Sequence, residues 1–174
     1  NDFGIKKEDV ILDPFSGSGT TSLTAQKLGI SSIAIDILEI ARETFKVKTQ
    51  ILEYDLEELR TIFSNIDALE IKKTSETFKY LTITEGAFSK SRENDLLFLK
   101  EWISSSIYSK RSKQLAKFVL LTILEEISYT RKDGQYLRWD YRSNKVIIAN
   151  EKRKAIGKAP IKTILDKGNL PTVK

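Results

Sequence analysis

The stretch Val10–Gly29, VILDPFSGSGTTSLTAQKLG, constrains the fold of this chain more than any other. Val10-Ile11-Leu12 is a short, wholly apolar run, the pattern of a strand buried on both faces of a parallel sheet. It closes on Asp13-Pro14 and enters a turn that holds Gly17 and Gly19. Ser18 and Thr20 are N-cap candidates for the helix that follows, and Gly29 stands where a C-cap glycine belongs. Ser31–Ile37, SSIAIDI, then reads as a second strand. Strand, glycine turn, helix and strand in under 30 residues make a right-handed βαβ unit, so the chain opens as α/β.

Such a turn serves a ligand. Glycines let the backbone come close, and the first turn of the helix offers unpaired N–H groups at the positive end of its dipole. Asp36, 23 residues after Asp13, sits where a carboxylate accepts the hydroxyls of a ribose. Three ligand classes compete. A dinucleotide favours a third glycine, but that position is Ser22. A triphosphate calls for a lysine after the second glycine, and none follows Gly19. A nucleoside without phosphates remains, and beside it the negative Asp13 is no penalty. S-adenosylmethionine fits, with its ribose at Asp36 and its charged amino-acid end near Asp13 and the glycines.

The residues also carry a family likeness. LDPFSGSGTT at Leu12–Thr21 resembles the D-P-F-x-G-S-G-T-T cofactor motif of the amino-methylating DNA methyltransferases, and SIAIDI at Ser32–Ile37 is similar to the acidic strand that follows it there. The resemblance implies a Rossmann-like class I S-adenosylmethionine-dependent methyltransferase fold, here in part. It implies that Phe15 packs beside the cofactor, that Gly17–Thr20 wrap its methionine end, that Asp36 binds ribose and that Ile37 lies on the adenine. The expected cofactor-binding set is Asp13, Phe15, Ser16, Gly17, Ser18, Gly19, Thr20, Asp36 and Ile37. The RNA guanine methyltransferases resemble the same turn, so an RNA substrate stands as the alternative.

Methyl transfer to an exocyclic amine in that family needs a second motif, (Asp/Asn/Ser)-Pro-Pro-(Tyr/Phe), whose polar groups hold the target nitrogen while the aromatic ring stacks on the flipped base. The only prolines are Pro14, Pro160 and Pro171, and none are adjacent. The catalytic residues are therefore expected outside this chain, beyond Lys174 or on a second subunit. A non-catalytic subunit that binds cofactor and DNA is the reading from a different class.

With no cysteine and no histidine, thiol nucleophiles, histidine bases, disulfides and the usual zinc sites are excluded within these 174 residues, and no metal is expected. The absence of methionine points to an internal segment. No apolar run approaches the roughly eighteen residues needed to span a bilayer, so the expected compartment is the cytoplasm and no membrane partner is anticipated.

Three parts are expected along the chain: residues 1–52 as the cofactor-binding βαβ half-domain, 53–130 as a helical insertion, and 131–174 as a basic aromatic segment. Helices are predicted over 39–50 and around Leu56–Leu69, with Asp55 and Glu58 at capping-box spacing. NDLLFLKEWI predicts a third, burying Leu96, Leu99 and Ile103, and Leu115, Val119, Ile123 and Ile127 run down one face of a longer one. One short strand is expected around Tyr80–Ile83. Lys132-Asp133-Gly134 reads as a turn, and QYLRWDYRSNKVII as a strand or a hairpin with Ser143-Asn144 at its tip.

Charge is unevenly spread. Residues 131–174 carry 12 Lys and Arg against 4 Asp and Glu, while residues 1–130 carry 17 against 20. That asymmetry reads either as the footprint of a polyanion partner or as a solvated lysine-rich tail. Arg131, Lys132, Arg138 and Arg142 are candidate phosphate contacts, with Tyr136, Trp139 and Tyr141 as stacking faces. Trp139 reads equally well as a core residue, and Asp140 as a structural partner of one arginine. The expected partner is double-stranded DNA, and the expected setting a restriction–modification system.

Overall fold

The computed structural model describes residues 4–134, 136–162 and 164–174. The chain is mixed α/β and divides into two compact units, Asn1–Leu56 and Glu57–Lys174.

The first unit holds β1 (Val10–Asp13), α1 (Thr20–Lys27), β2 (Ser31–Ala34) and α2 (Glu39–Thr49). β1 and β2 pair in parallel, from Val10↔Ser31 to Asp13↔Ala34, as the crossover through α1 requires. α1 is closed by Gly29, whose φ of 70° suits the left-handed residue after a helix end. Its start differs from expectation. The N-cap is Gly19, and no side chain caps the helix. Gly19 N–H closes the preceding turn onto the Ser16 carbonyl, so the helix begins only beyond Gly19 and Thr20 falls inside it. The strands also differ: Val10 is 57% exposed and Leu12 60%. Among the described residues this sheet has two strands, so no flanking strand covers Val10 and Leu12.

The second unit contains α3 (Leu56–Ala68, which begins at the boundary), α4 (Lys90–Ser105), α5 (Lys110–Thr122), α6 (Leu124–Ile127), β3 (Thr130–Asp133), β4 (Tyr136–Asp140), α7 (Asn144–Ala155) and β5 (Ile164–Leu165). Its core gathers Leu96, Leu99, Ile127 and Val173, with Ile66, Leu69, Phe78, Phe88, Leu120, Ile123 and Leu124 packed against them. Leu96, Leu99 and Ile103 are buried as their helical spacing requires. The Glu58 carboxylate on α3 accepts from Ser109 N–H and Oγ and from Ser112 Oγ, fastening the N-terminus of α5 to α3.

Three local expectations fail for identifiable reasons. Tyr80–Ile83 is not a strand, because Thr84 and Glu85 N–H groups both bond back to the Leu81 carbonyl and curl the backbone into turns. The long helix through Leu115 and Ile127 is broken at Ile123, next to Thr122, whose hydroxyl bonds back to the Val119 carbonyl at 2.7 Å. Such back-bonding competes with the helical ladder. Ser143-Asn144 is not a hairpin tip. Ser143 Oγ accepts from Lys145 N–H and caps α7, while the hairpin turns after Asp133, at Gly134 with φ 56°. Gln135 lies outside the described residues.

β3 and β4 are antiparallel and β5 joins β4 in parallel, giving the order β3-β4-β5. No helix among the described residues is long and apolar enough to cross a membrane.

Candidate functional site

In the first unit, the end of β1 and the end of β2 meet at the glycine turn. The ladder continues past the strands: Ile35 N–H donates to the Asp13 carbonyl at 2.9 Å, and Ser16 N–H to the Ile35 carbonyl at 3.0 Å. Asp36 is thereby held beside the turn. Its Oδ2 accepts from Gly17 N–H and its Oδ1 from Leu38 N–H, each at 2.8 Å. One carboxylate ties the turn to the start of α2, and each oxygen keeps a further lone pair for another donor. Asp13 Oδ1 accepts from Phe15 N–H at 3.2 Å, bending the chain outward as it leaves the strand.

The glycines are required for different reasons. Gly17 (φ 50°) has open space where a Cβ would stand, so its conformation alone demands glycine. Gly19 (φ 80°) has the Phe45 ring of α2 only 2.3 Å from such a Cβ. The Lys48 ammonium, also on α2, donates to the Ser18 carbonyl at 3.2 Å. With no side-chain cap, the first-turn amides of α1 are left for an external acceptor. Phe15 and Ile37 are 89% and 97% exposed, two large apolar side chains in open water at the strand ends. The structure thus brings together Asp13, Phe15, Ser16, Gly17, Ser18, Gly19, Thr20, Asp36 and Ile37 in one hydrogen-bonded turn and its borders. Phe45 and Lys48 are additions that sequence alone did not single out, since nothing local distinguishes them from other helical aromatic or basic residues.

In the second unit, the basic aromatic residues separate into two groups. Asp140 is fully buried, and Arg142 Nε and Nη2 grip its two oxygens at 2.7 and 2.8 Å. This pairing holds the Asp140 carboxyl down at about 2, against the cost of burial. The Arg142 guanidinium also lies over the rings of Tyr129 and Tyr141, 5.9 and 5.3 Å from their centres. Asp140 further accepts from Lys167 N–H at 2.9 Å, and the Lys167 ammonium donates to the carbonyls of Glu125, Ser128 and Thr130. Burial and the nearby Arg131 charge lower the Lys167 pKa. Trp139 is half-buried beneath the Lys145 ammonium, which sits 4.7 Å from its ring centre and bonds to the Thr82 and Ile83 carbonyls. Arg131, Lys132 and Arg138 stand instead on the β3–β4 hairpin, where Arg138 meets Asp133 at 3.1 Å.

A family model described as DNA methylase matches residues 3–47, the segment that contains the turn. The Type II methyltransferase M.BsoBI of Geobacillus stearothermophilus is 60% identical over 173 residues, 99% of this chain and 34% of its own. M.AvaI of Nostoc sp. is 37% identical over 142 residues, covering 79% of this chain and 29% of its own. M.MjaII of Methanocaldococcus jannaschii is 31% identical over 140 residues, 79% of this chain and 23% of its own. The chain thus spans about a third or less of the length of these curated relatives. No solved structure matches it significantly.

Proposed function

We propose, for a chain that belongs to the amino-methylating DNA methyltransferase family, that its first unit is the S-adenosylmethionine site of a Type II enzyme of a restriction–modification system. The reading takes that unit as part of a Rossmann-like class I fold. The observation that carries it is the turn itself: two left-handed glycines, uncapped helix amides and an Asp36 carboxylate held beside them. The donor set fits the cofactor. Amides and open space at Gly17 suit its amino-acid end, the remaining lone pairs of Asp36 suit ribose hydroxyls, and the exposed Phe15 and Ile37 suit the faces of adenine. When bound, the cofactor supplies a methyl group activated by a sulfonium.

This chain's own contribution is to bind and orient. Asp36 fixes the turn through Gly17 N–H, Asp13 sets the exit of β1 through Phe15 N–H, and Phe15 and Ile37 lose water when covered. The acceptor is an exocyclic amino group of adenine or cytosine in double-stranded DNA, in the cytoplasm. The groups that hold this amine belong to the part of the enzyme beyond this chain, a reading supported by the much greater length of the relatives and by three scattered prolines. The description of the matching family model, DNA methylase, favours it over an RNA substrate.

Titration calorimetry with S-adenosylmethionine tests the assignment. Asp36→Ala is expected to weaken binding at least tenfold, and Asp36→Asn, which keeps an acceptor for Gly17 N–H, less severely. Undiminished affinity in both variants would sink the assignment.

A further inference from the structure

The β3–β4 hairpin sets two arginines opposite each other. Arg131 stands directly opposite Arg138 in the antiparallel register, so the two cations share one face of the sheet. Like charges in that position repel. Asp133 offsets one of them through its contact with Arg138, but it is 62% exposed and water weakens the pair. Among the described residues, no carboxylate pairs with the side chain of Arg131 or Lys132. A third cation, Lys167, lies close enough for the Arg131 charge to disfavour its protonated form.

Five of the other nine cations of the basic quarter behave differently. Arg142, Lys145, Arg153, Lys167 and Lys174 all donate to carboxylate or carbonyl groups within the fold. Their charges serve packing. Arg131 and Lys132 instead border a groove of about 470 Å³, together with Asp133, Arg138, Ile164 and Leu165. Next to it the Tyr136 ring is 69% exposed, with the Arg138 guanidinium 6.0 Å from its centre.

We infer that this groove receives the phosphodiester backbone of a nucleic-acid duplex, with Arg131 and Lys132 on phosphate oxygens and Arg138 alongside, steadied by Asp133 and Tyr136. A phosphate bridging the opposed side chains turns their repulsion into attraction. The planar fork of arginine also matches the two non-bridging oxygens of a phosphodiester in two-point contact. The inference rests on the reading of the partner as DNA. It narrows the contact to the hairpin, where Lys132, opposite Leu137 in the register, borders the groove from the edge strand β3, and leaves Arg142 and Trp139 to the fold.

The test uses the chain with a fluorescently labelled duplex of arbitrary sequence, binding being followed across a salt series. Arg131→Ala and Lys132→Ala are each expected to weaken binding severalfold and to reduce the slope of log affinity against log salt by about 0.9, the signature of one lost phosphate contact. Arg131→Lys should keep that slope, and Lys158→Ala, on the loop after α7, should leave both quantities unchanged. Unchanged slopes in Arg131→Gln and Lys132→Gln, with wild-type circular dichroism, would overturn the inference. So would an equal loss in Lys158→Ala, displacement of the duplex by equimolar polyglutamate, or no duplex binding at all. Cofactor binding in the same variants is read by calorimetry, so failure at the hairpin and failure of the methyltransferase reading give different results.

Discussion

Gly19 is the residue whose replacement says most about the turn. A side chain there meets two separate penalties, a left-handed φ of 80° and the Phe45 ring at 2.3 Å. The first costs on the order of 1 kcal/mol and the displaced aromatic at least as much again. Gly19→Ala is therefore expected to destabilise the first unit by about 2–3 kcal/mol in urea unfolding followed by circular dichroism. Gly17→Ala, with open space around its Cβ, should lose only the conformational part. At this scale the sequence is legible where chemistry is local. Two glycines, an aspartate and their spacing point to the turn and to Asp36 without any knowledge of packing. What stays hidden is Phe45, because its approach to Gly19 depends on how α2 folds back, and nothing within three residues of either position reports that.

Elements were readable in proportion to their periodicity. α2, α3 and α4 follow apolar spacing and fall where it puts them. The segment after β4 was ambiguous, since Ser-Asn is good chemistry both for a hairpin tip and for a helix start. The choice was made by distant contacts. Ser143 is fully buried, donates its hydroxyl to the Gly86 carbonyl at 3.2 Å and accepts from Lys145 N–H, which leaves it at the cap of α7. Ser143→Ala removes both bonds and is expected to cost about 1–2 kcal/mol, measured as a lower midpoint in denaturant. Ser143→Asn, which caps well but is larger, should fail to restore stability because the site is buried. If the larger residue rescued fully, capping rather than the buried contact would dominate.

At the scale of the molecule, Asp140 at the end of β4 joins the neighbouring Arg142 before α7 to the backbone of Lys167, 27 residues on and after β5. The folded carboxyl titrates at about 2 against an ordinary 3.8, so the folded state binds this proton less readily than the unfolded chain. Its contribution to stability is fully present above the unfolded value, declines as pH falls below about 4, and is gone below about 2. Thermal melts are expected to show a falling midpoint through that window, and Asp140→Asn should flatten the fall while starting from a lower midpoint. A wild-type curve level from pH 5 to pH 2 would remove Asp140 from the account. The sequence allowed Asp140 an arginine partner but left Trp139 between contact and core, because burial is a property of the assembled unit. The exposure of Val10, Leu12 and Ile33 was equally invisible, since an apolar run does not say how many strands will flank it. That exposure has a consequence for handling the protein. Among the described residues the pair of strands has no third neighbour and so two open edges, each a row of backbone donors and acceptors, and neither VILD nor SSIA carries the lysine or proline that commonly guards an edge. The isolated chain is therefore expected to self-associate strand to strand at high concentration, which light scattering over a concentration series would register.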